Sequence, residues 1–143
     1  MIDYIGFTGT RQGMTPVQQI KFAAFMETQL PFEQFHHGDC VGADEQAHSL
    51  VRGLPGDHII VVHPPLDEKY RAFCDGDDIL EPFEYLERNH HIVDASQRLV
   101  ACPKGPKEQR SGTWATWRYA KRTNRCVLTV ISPDGRTQTE DPF

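Results

Sequence analysis

The sequence is short of the features that mark several large protein classes. It has four cysteines, Cys40, Cys74, Cys102 and Cys126, far apart and with no Cys-x-x-Cys pair. That excludes a dense disulfide framework and the usual zinc spacings, and it fits reduced thiols in a cytosolic protein. No apolar run approaches the length of a membrane span, and no apolar signal core follows Met1. Basic residues are in deficit: 15 Lys and Arg face 20 Asp and Glu, for a formal charge of −5. Non-specific nucleic-acid binding runs on neutralised phosphates, so an acidic chain argues against it. Any anion site must be built locally. Internal repeats and low-complexity tracts are absent as well.

What remains is an ordinary soluble composition, 38% apolar and 24% charged over 143 residues, enough for one domain with a full core. Strand-like and helix-like segments alternate. Tyr4 to Thr8, Phe32 to His37, His58 to Val62, Arg98 to Cys102 and Cys126 to Ile131 read as strands. Thr15 is placed to cap a helix, with Pro16 at its first position and Gln18 at the capping-box position. Val17, Ile20 and Ala24, then Ala23, Met26 and Leu30, are expected to form its buried stripe. Glu45 to Arg52, Pro82 to Ala95 and Gly112 to Asn124 read as further helices. The expectation is an α/β fold: one Rossmann-like domain over residues 1–132, with a mostly parallel five-stranded sheet covered on both faces, and a polar tail over 133–143.

In such sheets ligands bind at the carboxyl ends of the strands, where the strand order reverses. The first turn, Gly9-Thr10-Arg11-Gln12-Gly13-Met14, follows strand one and leads into a helix. Glycine lets backbone N–H groups approach a phosphate, a helix N-terminus adds about half a positive charge, and Arg11 can grip an anion in a fork. Taken alone, the turn fits equally a tight connection with a solvated Arg11. Three other loops fall at the same edge: Gly38 to Asp44, His63-Pro64, and the basic loop from Pro103 into Ser111-Gly112-Thr113. Lys104, Lys107 and Arg110 stand just upstream of Ser111, and Arg118, Lys121, Arg122 and Arg125 follow. Four loops carrying Gly, Thr, Asp, Arg and Lys at one edge favour a nucleotide-type site.

Single residues carry competing readings. Asp39 could meet a ribose or only stabilise its turn, whereas the spacing of Asp44 favours capping the following helix. Ser111 can cap a helix and still border a ligand. Trp117 fits the core, and Trp114, in the first turn, is the better candidate to stack on a base. Arg88 and Asn89 read as a solvated face. His36-His37 and His90-His91 are neighbours whose side chains diverge, so neither pair chelates one metal and no metal site is expected. His63 is the histidine best placed for a site. No nucleophile elbow or triad spacing is present.

Gly6-Phe7-Thr8-Gly9-Thr10-Arg11, His37-Gly38-Asp39-Cys40-Val41-Gly42-Ala43-Asp44, Leu86-Glu87-Arg88-Asn89 and Ser111-Gly112-Thr113-Trp114-Ala115 together resemble the SLOG superfamily. That Rossmann-like group contains the LOG phosphoribohydrolases, small bacterial and phage nucleotide-binding proteins and the nucleotide-sensing domain of TRPM channels. The likeness runs roughly from Tyr4 to Ile131. It implies a nucleotide or nucleotide-derived ligand, with no further cofactor required, its phosphate near Gly112-Thr113 and its sugar or base near the first two turns. It also implies roles for Gly38, Gly42, Arg88, Asn89 and Pro103. LOG enzymes carry Pro-Gly-Gly-x-Gly-Thr-x-x-Glu; here Pro103-Lys104-Gly105 is separated from Gly112-Thr113, and Thr116 stands where the Glu belongs. Three functions follow: a protein that senses, sequesters or carries a nucleotide; an N-glycosidase whose carboxylate has moved, Asp39 or Asp94 being the substitutes; and a protein-interaction module with a vestigial site. A homo-oligomer is compatible with each.

Overall fold

The structure is a computed structural model, and it describes residues 3–108 and 111–142. The apolar, β-branched runs form the inner strands: β1 (Tyr4–Gly9), β2 (Gln34–His37), β3 (Ile59–Val62), β5 (Arg98–Cys102) and β6 (Val127–Ile131). Two further strands bring the total to seven. They are β4 (Asp78–Ile79) and β7 (Thr137–Glu140), the latter inside the segment read as a polar tail. The order across the sheet is β4-β3-β2-β1-β5-β6-β7, with every pair parallel except β6 and β7. Both added strands are edges whose residues are exposed. They join through backbone pairing, which leaves no apolar alternation in the sequence.

Helices α1 (Pro16–Thr28) and α2 (Ala43–Arg52) cover one face. Phe22, Met26, Ala43, Ala47 and Val51 pack there on Ile5, Phe7, Phe35, Ile60 and Val100. Helices α3 (Tyr85–Asp94) and α4 (Gly112–Thr123) cover the other, where Ile92, Val93, Trp114, Trp117 and Ala120 meet Leu99, Ala101 and Leu128. The capping box of α1 is present in full: Gln18 N donates to Thr15 Oγ1 and Thr15 N to Gln18 Oε1, each at 3.1 Å.

The buried stripe of α1 keeps Met26 of the expected set but is otherwise rotated. Gln18, Phe22 and Met26 face inward, while Val17 and Ile20 are exposed. The amide of Gln18 explains the rotation. It is almost wholly buried, and its Nε2 donates to Ile131 O (2.7 Å) and Pro103 O (3.0 Å), tying α1 to the ends of β5 and β6. A hydrogen-bonded polar side chain thus takes a core position that a count of apolar residues assigns elsewhere.

The strand order reverses between β1 and β5, and Gly9 lies opposite Cys102 in that register. The loops after these two strands therefore flank the topological switch point. Among the described residues no helix is long and apolar enough to cross a membrane.

Candidate functional site

A cleft of about 600 Å³ opens over the switch point, lined by the first turn (Gly9 to Gln12), the start of α3 (Tyr85, Leu86), Lys104 and Glu108 of the basic loop, and the start of α4. Residues about a hundred positions apart in the chain, Thr10-Arg11 and Gly112-Thr113, thus share one wall system. Ser111 caps α4, accepting from Trp114 N at 3.3 Å. The amides of Gly112 and Thr113 lie in the first turn, where no intrahelical acceptor exists, and they have no partner among the described residues. They present two N–H donors and the positive end of the helix dipole to the cleft.

Arg11 lines the same cleft and adds a full positive charge. It is exposed, and among the described residues no carboxylate lies within ion-pair distance. Its guanidinium instead rests against two rings, 4.1 Å from the centroid of Tyr70 and 5.1 Å from that of Tyr85. Stacking on rings orients the guanidinium while leaving its N–H fork for an anion. Tyr85 also packs on the α4 start, where a Cβ added at Gly112 would overlap its hydroxyl. A larger residue at Gly112 would thus have to push the Tyr85 ring aside.

The second turn is bound tightly to the first. Gly42, at φ +94°, lies so close that a Cβ there would overlap the Arg11 carbonyl, and Ala43 N donates to Thr10 O at 3.0 Å. Thr10 is itself mostly buried, and its Oγ1 accepts from Gln12 N at 3.1 Å. Met14 is core, with its N–H on Gln46 Oε1 at 2.6 Å. A small recess beside the cleft is lined by Gly38, Cys40, Asp44, Arg88 and Asn89.

Several residues sit where sequence reasoning did not put them. Asp39 is fully buried at φ +55°, and its carboxylate accepts from Arg71 Nε at 2.7 Å and Cys74 N at 2.8 Å. An ion pair and a backbone donor occupy it, so it faces no ribose. Asp44 does not cap α2. The N-cap is Gly42, and Asp44 Oδ2 accepts from Cys40 N at 3.1 Å, closing the turn from within the helix. Burial raises its carboxyl pKa to about 6, against the opposing pull of Arg88.

Arg88 and Asn89 are not solvated. Arg88 is 3% exposed; it donates to Gly38 O, to His63 O at 3.3 Å and to Asn89 Oδ1 at 2.7 Å, pinning α3 to the loops after β2 and β3. His63 is buried against His36, at 2.7 Å between ring nitrogens, and does not line the cleft. Burial lowers its pKa to about 3 and that of His36 to about 4. Pro103 is buried, its carbonyl taken by Gln18. Trp114 is also buried, its indole N–H donating to Gly105 O at 3.1 Å, and it lines a separate cavity rather than the cleft. Arg110, of the basic cluster, lies outside the described residues.

Thr116, at the position of the LOG glutamate, donates its hydroxyl to Gly112 O at 2.9 Å. Asp94 is engaged with Tyr119 (2.7 Å) and Arg125 (3.1 Å). Among the described residues the one carboxylate lining the cleft is Glu108, which sequence reasoning missed although it is the single acidic residue between Pro103 and Gly112. Tyr85 was missed too; it stands one residue before the Leu86-Glu87-Arg88-Asn89 run.

One group resembles a metal centre. His37, His48 and Cys74 hold ligand atoms within 4.8 Å of one another. The hydrogen bonds assign them differently. Asp39 N donates to His37 Nδ1 at 3.0 Å, so neutral His37 carries its proton on Nε2, which points to His48 Nδ1 at 2.9 Å. A metal on His37 Nε2 would require an imidazolate, and burial raises the Cys74 thiol pKa well above its ordinary value. The trio is a tautomer-fixed pair beside a neutral thiol.

No protein-family model matches the chain, and no curated protein matches it significantly. Solved structures do. The molybdenum cofactor binding protein of Rippkaea orientalis superposes with a TM-score of 0.69 at 16% identity, over 92% of this chain and 77% of that one. The DNA processing protein A of Helicobacter pylori, named for a single-stranded DNA binding mode, gives 0.63 at 16% identity, over 98% and 69%. The protein TM1055 gives 0.61 at 14%, over 86% and 71%. At these identities the likeness shows a shared Rossmann-like α/β fold. It also removes support for excluding nucleic acid on net charge alone, because a chain of this fold carries that ligand.

Proposed function

We propose that this chain is a SLOG-type protein that binds a nucleotide or nucleotide-derived small molecule in the cleft over the switch point, and that it senses, sequesters or carries that ligand. The observation that carries the reading is the facing of two unpartnered amides, Gly112 and Thr113, by an arginine without a carboxylate partner among the described residues. A phosphate in this cleft would be met by both groups. Lys104 adds a second cation at the rim, and the ring of Tyr85 offers a flat wall. The four cysteines are free thiols, consistent with a cytoplasmic setting.

The test is a thermal-shift screen of nucleoside mono- and diphosphates, molybdenum cofactor and short single-stranded DNA. A ligand at a hundred times its dissociation constant stabilises by about 2.7 kcal/mol. No shift with any of them would leave a protein-interaction module as the better account.

A second reading, N-glycosidic hydrolysis, rests on Glu108, the carboxylate at the cleft. Chromatography for free base after incubation with nucleoside monophosphates decides it. Asp39, being held by Arg71, supplies no support for it.

A further inference from the structure

A second cavity, of about 480 Å³, shares no lining residue with the cleft and lies between Gly105 to Lys107, helix α4, and strands β6 and β7. Its floor is apolar: Trp114, Trp117, Leu128 and Val130. The two indoles meet edge to face, with centroids 5.6 Å apart. Three observations mark it as more than a packing gap. Trp117 is 5% exposed, and its buried Nε1 has no hydrogen-bond partner among the described residues, which is uncommon for a buried indole. The ammonium of Lys107 sits 4.1 Å from the centroid of that same ring, and among the described residues no carboxylate pairs with it. Of the two acids at the rim, Glu140 is paired with Lys121 at 3.1 Å, and Asp134 closes its own turn by accepting from the Arg136 N–H at 3.0 Å; neither pairs with Lys107.

We propose that this cavity is a second ligand site, selective for small molecules with an aromatic or aliphatic body and one carboxylate. The body lies against Trp114, Leu128 and Val130. The carboxylate meets Lys107, whose charge the rim acids do not neutralise. Pockets of this volume with apolar walls and a few placed polar groups suit such ligands. A cationic analogue meets repulsion from Lys107 and attraction from Asp134, so the carboxylate preference rests on Lys107. The loop that walls this cavity also supplies Lys104 and Glu108 to the cleft, so one loop borders both sites.

The chain's two tryptophans both line the cavity, so intrinsic fluorescence reads its occupancy directly. The probes are 4-phenylbutyrate, its alcohol 4-phenylbutanol and its amine 4-phenylbutylamine, titrated into the full chain at millimolar concentration. The expected result is a saturable change with the carboxylate, and weaker binding of the alcohol and of the amine, the alcohol by about three- to five-fold, the size of an exposed ion pair. Lys107→Gln, an exposed substitution that spares the fold, should remove the preference for carboxylate over alcohol. Val130→Phe narrows the cavity and should weaken binding of all three probes, with circular dichroism confirming the fold. No saturable change with 4-phenylbutyrate, or a carboxylate preference that survives Lys107→Gln, overturns the proposal.

Discussion

Replacing Arg11 by alanine removes the cation that lines the cleft together with the α4 N-terminus. The guanidinium lies on two rings, and among the described residues it has no carboxylate partner, so its removal costs little in the free protein. Two exposed cation–π contacts contribute about 1–2 kcal/mol together. For a domain of this size that lowers the melting temperature by a few degrees. The bound state loses more. A charge-assisted fork to a phosphate contributes roughly 1.5–3 kcal/mol, which is about a 10- to 150-fold loss of affinity. Arg11→Lys keeps the charge but not the planar fork, and should fall between the two. Isothermal titration calorimetry with the nucleotide that stabilises wild type most, beside differential scanning calorimetry, separates affinity from stability. Equal dissociation constants for wild type and Arg11→Ala would show that Arg11 is a turn residue stacked on tyrosines and nothing more.

Gly112→Ala should displace Tyr85 and weaken nucleotide binding by more than about ten-fold, as lost amide approach to a phosphate implies, whereas Gly105→Ala, where a Cβ meets nothing within 4 Å, should leave cleft affinity unchanged in the same titration. Arg88→Met should cost about 3–5 kcal/mol in urea unfolding, because it strands the buried Asp44 carboxyl and the carbonyls of Gly38 and His63 without their cation. Stability should fall on acidification. His36 and His63, with folded pKa values of about 4 and 3, refuse protons that the unfolded chain takes below pH 6.5, so their stabilisation is complete above that pH and is lost below it. Asp44, raised to about 6, works in reverse and regains stability as pH falls through 6. Two groups against one leave a net loss of at least about 1.4 kcal/mol per pH unit between roughly pH 5.5 and 4.5, with His37 and His48 adding in the same direction; a flat or rising urea midpoint over that window contradicts the assignment. No base release from AMP is expected, since the Thr116 hydroxyl is spent on Gly112 O; release that Glu108→Gln abolishes would establish the hydrolase reading instead.

The central five strands were legible because each is a run of β-branched or apolar residues bounded by turn formers, and the Thr15-Pro16-x-Gln18 signature marked the start of α1 without ambiguity. Strands β4 and β7 were not legible. Asp78-Ile79 and Thr137 to Glu140 bury nothing, and their pairing resides in backbone groups that side-chain patterns do not report. The polar interior was equally hidden. Arg88, Asn89, Gln18 and Asp39 look solvent-facing by type, and only the partners that the fold brings to them, up to 113 positions away for Gln18 and Ile131, explain their burial. The divergence of His36 and His37 was readable from strand geometry, and each finds its own partner on its own face, His63 and His48. At the site, the convergence of the loops after β1 and β5 followed from topology. The contribution of Tyr85 did not, because nothing in its local sequence tells that α3 begins beside the α4 N-terminus.

The claim that most needs testing is that a phosphate sits between Arg11 and the first turn of α4. Amide chemical shifts recorded while a nucleotide is titrated into ¹⁵N-labelled protein test it without presuming which nucleotide is natural. Gly112, Thr113 and Arg11 should show the largest saturable amide shifts, with downfield movement at Gly112 and Thr113 as their N–H groups acquire an acceptor. Saturable shifts confined to another surface, with these three amides unmoved, would contradict the account.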